Sequence, residues 1–383
     1  MRTSRKALFS MISLLVVAMP AMICKRKSNS KGAADMTSDA GADSPGSKSS
    51  NPSSPSDPNS NTPIDPVVEK NMNPEVGEVV TDLPTNPGTR INGGVIAQTR
   101  WTAAGSPYHI LGDITLPDGA TLAIDPGVTV IFDGAYKFSV IGGSLQLAGT
   151  LEQPIRFTAA QKNPGWYGIL FCPDPTCTSS VNKGSIDARF TIFEYARAND
   201  KEGDFRYWRR GGALLLLHTS SVKISSSVFR YNFAYEVGGG LELIAIDNSQ
   251  TVQLDNILFL GNEAGSGGAL RLSHIHNRSW SGLIFESNRV RNWPDSYGGA
   301  IEVEDASNIT MTNTIASANL AEVGGRSTGI GGGFYCYTPG LILSPPYELS
   351  NNSPEHSVGC GQETEFNNQQ GKSGQVNRMV PAY

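Results

Sequence analysis

The chain has 383 residues, 42 of them glycine, with 17% charged residues and a formal net charge of −5. No basic patch or stripe of the kind that tracks phosphates runs through it, which excludes DNA and RNA as partners. Abundant glycine beside short apolar runs describes a β-rich chain.

Residues 1–24 open with Arg2, Arg5 and Lys6 and pass through an apolar run ending VVAMPAMIC, the pattern of an export signal. Cys24 closes that run ahead of a long polar spacer, which resembles a bacterial lipoprotein signal with this cysteine as the lipidation site. Ala21, Met22 and Ile23 depart from the usual lipobox, and Lys25, Arg26 and Lys27 oppose translocation, so cleavage near Ala21 and an uncleaved anchor stay open. On each reading the remainder is exported to the cell envelope, at the outer membrane or cell surface, with the membrane as an N-terminal partner.

Residues 25–93 are rich in Ser, Asn, Pro and Asp and poor in large apolar residues, so they read as a disordered linker. From 94 the composition changes. Alternating runs at 108–116, 121–124 and 128–132 are separated by PDG and DPG turns, and further runs follow at 137–149, 154–160, 165–171 and 190–196.

Between 211 and 352 one phrase is repeated five times: GGALLLLHTSSVKISSSVFRYN, GGGLELIAIDNSQTVQLDNILFLGN, GGALRLSHIHNRSWSGLIFESN, GGAIEVEDASNITMTNTIASAN and GGGFYCYTPGLILSPPYELSNN. Apolar residues recur at every second position and no run is long enough for a helix, so each phrase is a coil of short strands that can bury its inner side chains only against its neighbours. The spacing predicts a parallel β-helix over 94–352, of about nine rungs and on the order of 40 Å long. Leu214, Leu241, Leu270, Ile301 and Phe334 share one inward position, and Leu216, Leu243, Leu272, Val303 and Cys336 share another. The position between them, held by Leu215, Glu242, Arg271, Glu302 and Tyr335, should face solvent. Asn232, Asn262, Asn288, Asn319 and Asn352 close the phrases and predict a stacked amide ladder at a turn.

GGA followed by Leu or Ile at 211, 267 and 298, with F-x-x-N at 229–232, 259–262 and 285–288, resembles the repeat pair of the chlamydial polymorphic membrane proteins. More broadly, residues 94–352 resemble the right-handed parallel β-helix proteins of the pectate-lyase-like superfamily. The right hand of the coil is what that resemblance implies; the spacing alone implies rungs.

Cys172 and Cys177 lie in CPDPTC, where two prolines force a turn, and predict a local disulfide. Cys336 is either a buried thiol or the partner of Cys360, which would strap the polar tail 353–383 over the last rung. Neither cysteines nor histidines cluster with the spacing of a metal site, and no cofactor is expected.

Chemistry has two candidate places. The loops joining the rungs vary in length at one corner, and insertions there mark a binding edge. They carry Phe205, Tyr207, Trp208, Tyr235, Trp293 and Tyr297 among Arg209, Arg210 and Arg291, a mixture suited to stacking on sugar rings, unless the aromatics lie flat to cover apolar flanks. On the rung face, Glu242 and Glu302 lie two rungs and about 9.5 Å apart, at the upper end of an inverting glycosidase's carboxylate separation. Arg271 falls between them, and opposite charges on neighbouring strands are an ordinary way to settle a sheet face. The expectation is a tethered, non-catalytic β-helix that binds a polysaccharide or another surface ligand along its loop edge. The alternatives are a polysaccharide lyase or glycoside hydrolase acting through Glu242, Arg271 and Glu302, and a purely structural envelope protein.

Overall fold

The computed structural model describes residues 65–199, 206–291, 296–322, 329–361 and 371–373. The export signal with Cys24, most of the expected linker, Phe205 and Trp293 lie outside the described residues.

The chain is all-β, a right-handed parallel β-helix whose strands form sheets of 10, 15 and five strands among the described residues. One rung runs through Leu214–Leu217 in the 10-stranded sheet, Ser221–Arg230 in the 15-stranded sheet and Phe233–Ala234 in the smallest. The next repeats the path with Leu241–Ile244, Thr251–Leu260 and Glu263–Ala264. The 10-stranded sheet has one strand more than the nine rungs expected, and Ser357–Val358, beyond the predicted end at 352, is a two-residue strand too short to show an alternation in sequence.

Corners are made by single residues in the left-handed region. Ser226, Asn256, Gly282 and Asn313, with φ of 47°, 52°, 74° and 48°, bend the long strands in the middle. That bend lets Ser221–Arg230 pair with Ser185–Arg189 through its first half and with Thr191–Glu194 through its second. The glycine pairs do two jobs. The first of each pair, as in Gly267 and Gly298, has φ of 59° and 64°, a region where a side chain is strained. The second lies against the next coil: a Cβ on Gly268 would sit 2.2 Å from the Gly299 carbonyl oxygen.

Both inward rows are buried in one core, as the register predicts. Along a further inner row, in the 15-stranded sheet, Phe157, Phe193, Phe229, Phe259 and Phe285 stack with ring centroids 5.3, 4.9, 5.1 and 5.0 Å apart, close to the rung spacing. Beside them runs the asparagine ladder. Asn262 Nδ2 donates to Asn288 Oδ1 of the next rung at 3.0 Å and to the Phe229 carbonyl of the previous one at 2.8 Å, while its backbone N–H donates to Asn288 Oδ1 at 2.9 Å. The same three bonds recur at Asn232, Asn288 and Asn319.

Three sequence expectations change. The stretch 65–93, assigned to the linker, carries helix α1 (Pro66–Met72), capped by the Asp65 side chain at Val67 N–H and burying Val68 and Met72, and then a strand Thr89–Ile91 that pairs with Tyr108–Ile110. An apolar pair spaced four apart suffices to dock a helix of about two turns where a surface already exists, though it could not fold alone. The tail is partly built in, since Ser357–Val358 pairs with Phe334–Cys336. The expected Cys172–Cys177 disulfide is present, and of the two readings of Cys336 it is the bond to Cys360 that forms, with Cα atoms 5.1 and 5.0 Å apart. Finally, Glu242, Arg271 and Glu302 point away from the core but are buried, for reasons given below.

Asn288→Ala removes four hydrogen bonds, stranding the buried Asn262 backbone N–H on one side and leaving the Phe259 carbonyl and Asn319 Oδ1 short of a donor, and should lower stability by roughly 3–5 kcal/mol. Gly268→Ala should be similarly damaging, whereas Gln253→Ala on an exposed face should stay within about 0.5 kcal/mol. Denaturant melts of the three variants test this; equal midpoints would contradict the ladder's role.

Candidate functional site

The outer face of the 10-stranded sheet gathers most of the residues singled out in sequence. Its register places Leu170, Leu215, Glu242, Arg271, Glu302 and Tyr335 in one row across successive rungs. At the Leu170, Leu215 and Glu242 end of this row, residues 206–210, just before Gly211, fold back over the sheet. Residues Arg206–Arg209 form a 3-10 turn, and Trp208 lies buried against Leu170, Leu215, Leu217, Cys172 and Cys177, with Tyr207 packed alongside. Lys137 Nζ stands 5.5 Å from the Trp208 ring and 5.4 Å from that of Tyr167, a cation held between aromatic faces. The alternating strand supplies the apolar outer residues, and the loop supplies their cover.

Where the row turns charged, the cover turns charged as well. Arg210 Nε donates to Glu242 Oε2 at 3.1 Å, and Arg271 Nη1 donates to Glu242 Oε1 at 2.8 Å. Arg271 Nε reaches Glu302 Oε2 at 3.1 Å and its Nη2 bonds Glu304. Ser273 Oγ donates to Glu304 at 3.0 Å. Glu242 is 0% exposed, Glu302 3% and Arg271 7%. Burial pushes the Glu302 carboxyl above its usual range even against the attraction of Arg271. Burial pushes Glu304 upward too, but the Arg271 charge and the Ser273 hydrogen bond outweigh it and leave Glu304 below its usual range. Arg271, though penalised by burial, is held charged by its three carboxylates.

The row ends in tyrosines. Tyr297 and Tyr335 stack at 4.4 Å, and Tyr337 meets Tyr335 edge-on at 4.9 Å. Tyr337 is 51% exposed and lies on the same face as Tyr335, two positions on. Burial and the nearby Glu302 charge raise its hydroxyl pKa. Tyr335 and Tyr337 had not been counted with Tyr297 in sequence, yet the period of two places them together once the fold is known. The other loop candidates sit apart. Arg291 Nε donates to Glu263 at 2.7 Å, Arg209 faces Glu236 at 3.9 Å, and Tyr235 lies half-buried on the short-strand corner.

A separate groove of about 300 Å³ crosses the 15-stranded sheet, lined by the polar side chains of Gln146, Ser185, Asp187, Arg189, Ser221 and Lys223. Among the described residues no cluster of His, Cys, Asp or Glu could hold a metal ion. Comparison with known proteins matched no family model, no curated protein and no solved structure.

Arg271→Ala leaves two buried carboxylates short of their cation and should cost roughly 3–5 kcal/mol near neutral pH, far more than an exposed cross-strand pair. The raised folded-state pKa of Glu302 means that the native chain binds more protons than the unfolded one above 4.5, so this group's contribution to stability falls as pH rises from there. Loss of the cation widens that window. The deficit of the variant against the parent chain should therefore shrink as pH is lowered from neutral toward about 5, and a deficit that grew instead would contradict the ladder.

Proposed function

We propose that this chain is an exported, membrane-tethered β-helix that binds a surface polysaccharide without transforming it. The observation that carries the reading is the tyrosine group at the end of the charged row. Tyr297, Tyr335 and Tyr337 offer ring faces and hydroxyls beside Glu304, the combination by which a sugar's C–H face and hydroxyls are both engaged. The carboxylate pair considered for hydrolysis is poorly suited to that task. Glu242 accepts from two arginines and is sealed under Arg210, so neither a water nor a glycosidic oxygen has a path to it. Two disulfides agree with residence in an oxidising compartment. Kinship with the pectate-lyase-like β-helices, and with the GGA and F-x-x-N repeats of the chlamydial polymorphic membrane proteins, is part of the same proposal, as is attachment of a lipid at Cys24.

Retention on a panel of immobilised acidic and neutral polysaccharides tests the binding. Tyr337→Ala and Tyr297→Ala should each weaken retention on the responsive polymer by about 1–3 kcal/mol, in keeping with loss of an aromatic anchor. Trp208→Ala should instead lower the melting temperature, since that ring is already in use within the fold. Release of reducing ends or unsaturated products by the parent chain, lost in Glu302→Gln, would overturn the non-catalytic reading. For the tether, Cys24→Ser should move the protein from the membrane fraction to the soluble one, and unchanged partitioning would remove Cys24 as the lipid site.

A further inference from the structure

Residues 65–91 form an arm laid along the rod, and one of the contacts that holds it brings reactive groups together. Lys162 Nζ donates to Asn71 Oδ1 at 3.0 Å and to Glu78 Oε1 at 2.8 Å. The Tyr195 hydroxyl donates to the same Asn71 Oδ1 at 3.2 Å, and its ring lies 5.4 Å from the ammonium nitrogen. Asn71 Nδ2 is turned the other way and donates to the Val67 carbonyl at 2.9 Å. A carboxamide carbonyl is thus polarised by two donors, with a primary amine and a carboxylate beside it.

The four side chains are delivered by separate elements. Asn71 comes from the last turn of α1, and Glu78 from the stretch that follows it. Lys162 comes just after Gln161, which bridges to Val79 of the arm, and Tyr195 from a left-handed corner of the rod. Lys162 and Glu78 are only 14% and 24% exposed, so the amine is held in place instead of sampling solvent. The Lys162 hydrogen bond keeps the Glu78 carboxyl below its ordinary range, so that it stands ionised against the ammonium at 2.8 Å, the nearest group to which that ammonium can hand a proton.

We infer that this is a self-modification site, at which Lys162 and Asn71 condense into an isopeptide bond that joins the arm covalently to the rod. Glu78 takes one proton from the Lys162 ammonium. The freed amine lone pair attacks Asn71 Cγ, forming the new C–N bond, while the Tyr195 hydroxyl donates to the negative charge that develops on Oδ1. Glu78 then passes its proton to Nδ2 and the attacking nitrogen sheds another. The Cγ–Nδ2 bond breaks and ammonia departs, leaving as ammonium once it carries the last proton. Glu78 ends as it began, a carboxylate, and no oxidant, reductant or co-substrate is consumed. Folding supplies the proximity that makes an amine and an unactivated amide react.

The test is a peptide map of the purified full-length protein after denaturation and proteolysis, read by mass spectrometry. The expected product is one branched peptide joining the segment of Asn71 to the segment of Lys162, lighter than the sum of the two by one ammonia. An Asn71 succinimide also loses ammonia but yields two linear peptides. Lys162→Arg and Asn71→Ala should abolish the branched species while both proteins stay folded by circular dichroism. Glu78→Gln should abolish it as well. Tyr195→Phe should slow its formation in freshly refolded protein by about a hundredfold, the loss typical of one oxyanion donor. Only linear peptides from folded parent protein after prolonged incubation would overturn the proposal, and so would a branched peptide that persists in Glu78→Gln at the parental rate. Neither outcome depends on whether a polysaccharide binds.

Discussion

The asparagine ladder is the constraint on which the rest of the molecule depends. Each amide spans three rungs, donating back to a phenylalanine carbonyl and forward to the next asparagine, so every buried polar atom at that turn finds a partner without water. A ladder of this kind fixes where each coil sits relative to the last. The phenylalanines can then stack at near rung spacing, and the glycine pairs can approach a neighbouring carbonyl more closely than any side chain would allow. Hydrophobic burial provides the larger share of stability, but it is non-directional. Register comes from the amides.

The outer face of the 10-stranded sheet shows the same economy applied to charge. A buried guanidinium is costly unless its donors are met, and Arg271 meets three carboxylates, supplied by its own rung's neighbours and by the next residue pair along the strand. Arg210, brought over the sheet by the loop insertion, completes the coordination of Glu242. Such a closed network specifies how the loop must lie, because a loop displaced by one residue would leave Glu242 buried with half its partners. Side chains that look like catalytic acids in sequence are here paired with Arg210 and Arg271, and the tyrosines follow at the end of the same row.

Much of this was legible beforehand. The five phrases identify the inward rows, the turn asparagines and the glycine corners because each is dictated by a period of two and by contact with an identical neighbour, and both are visible in a repeated sequence. What could not be read is whatever depends on non-repeating segments. Nothing in the spacing of Glu242, Arg271 and Glu302 says that the stretch ending in Arg210 returns to pair with Glu242. Likewise the docking of α1 rests on Val68, Met72 and ion pairs to residues far away in sequence, such as Glu69 to Arg289 at 2.9 Å. A polar segment of low apolar content reads as unfolded by its composition, and becomes ordered only because a finished surface receives it. Cys360 was half-legible, since its partner was known to lie in the core but the path of the tail was not.

The course of that N-terminal arm also decides how the molecule responds to being pulled. The arm enters beside Arg289 and Gly261, well along the stack, and travels back past Lys162 and Arg156 before its strand joins the first coils at Tyr108–Ile110. Tension applied through the residues that precede Asp65 therefore meets α1 and its ion pairs before it reaches any terminal strand. Because those contacts are spread along the flank, they would share such a load, whereas a chain leaving from the end of the stack would peel coils away one hydrogen bond at a time. Load entering there would pass to coils that have a neighbour on both sides.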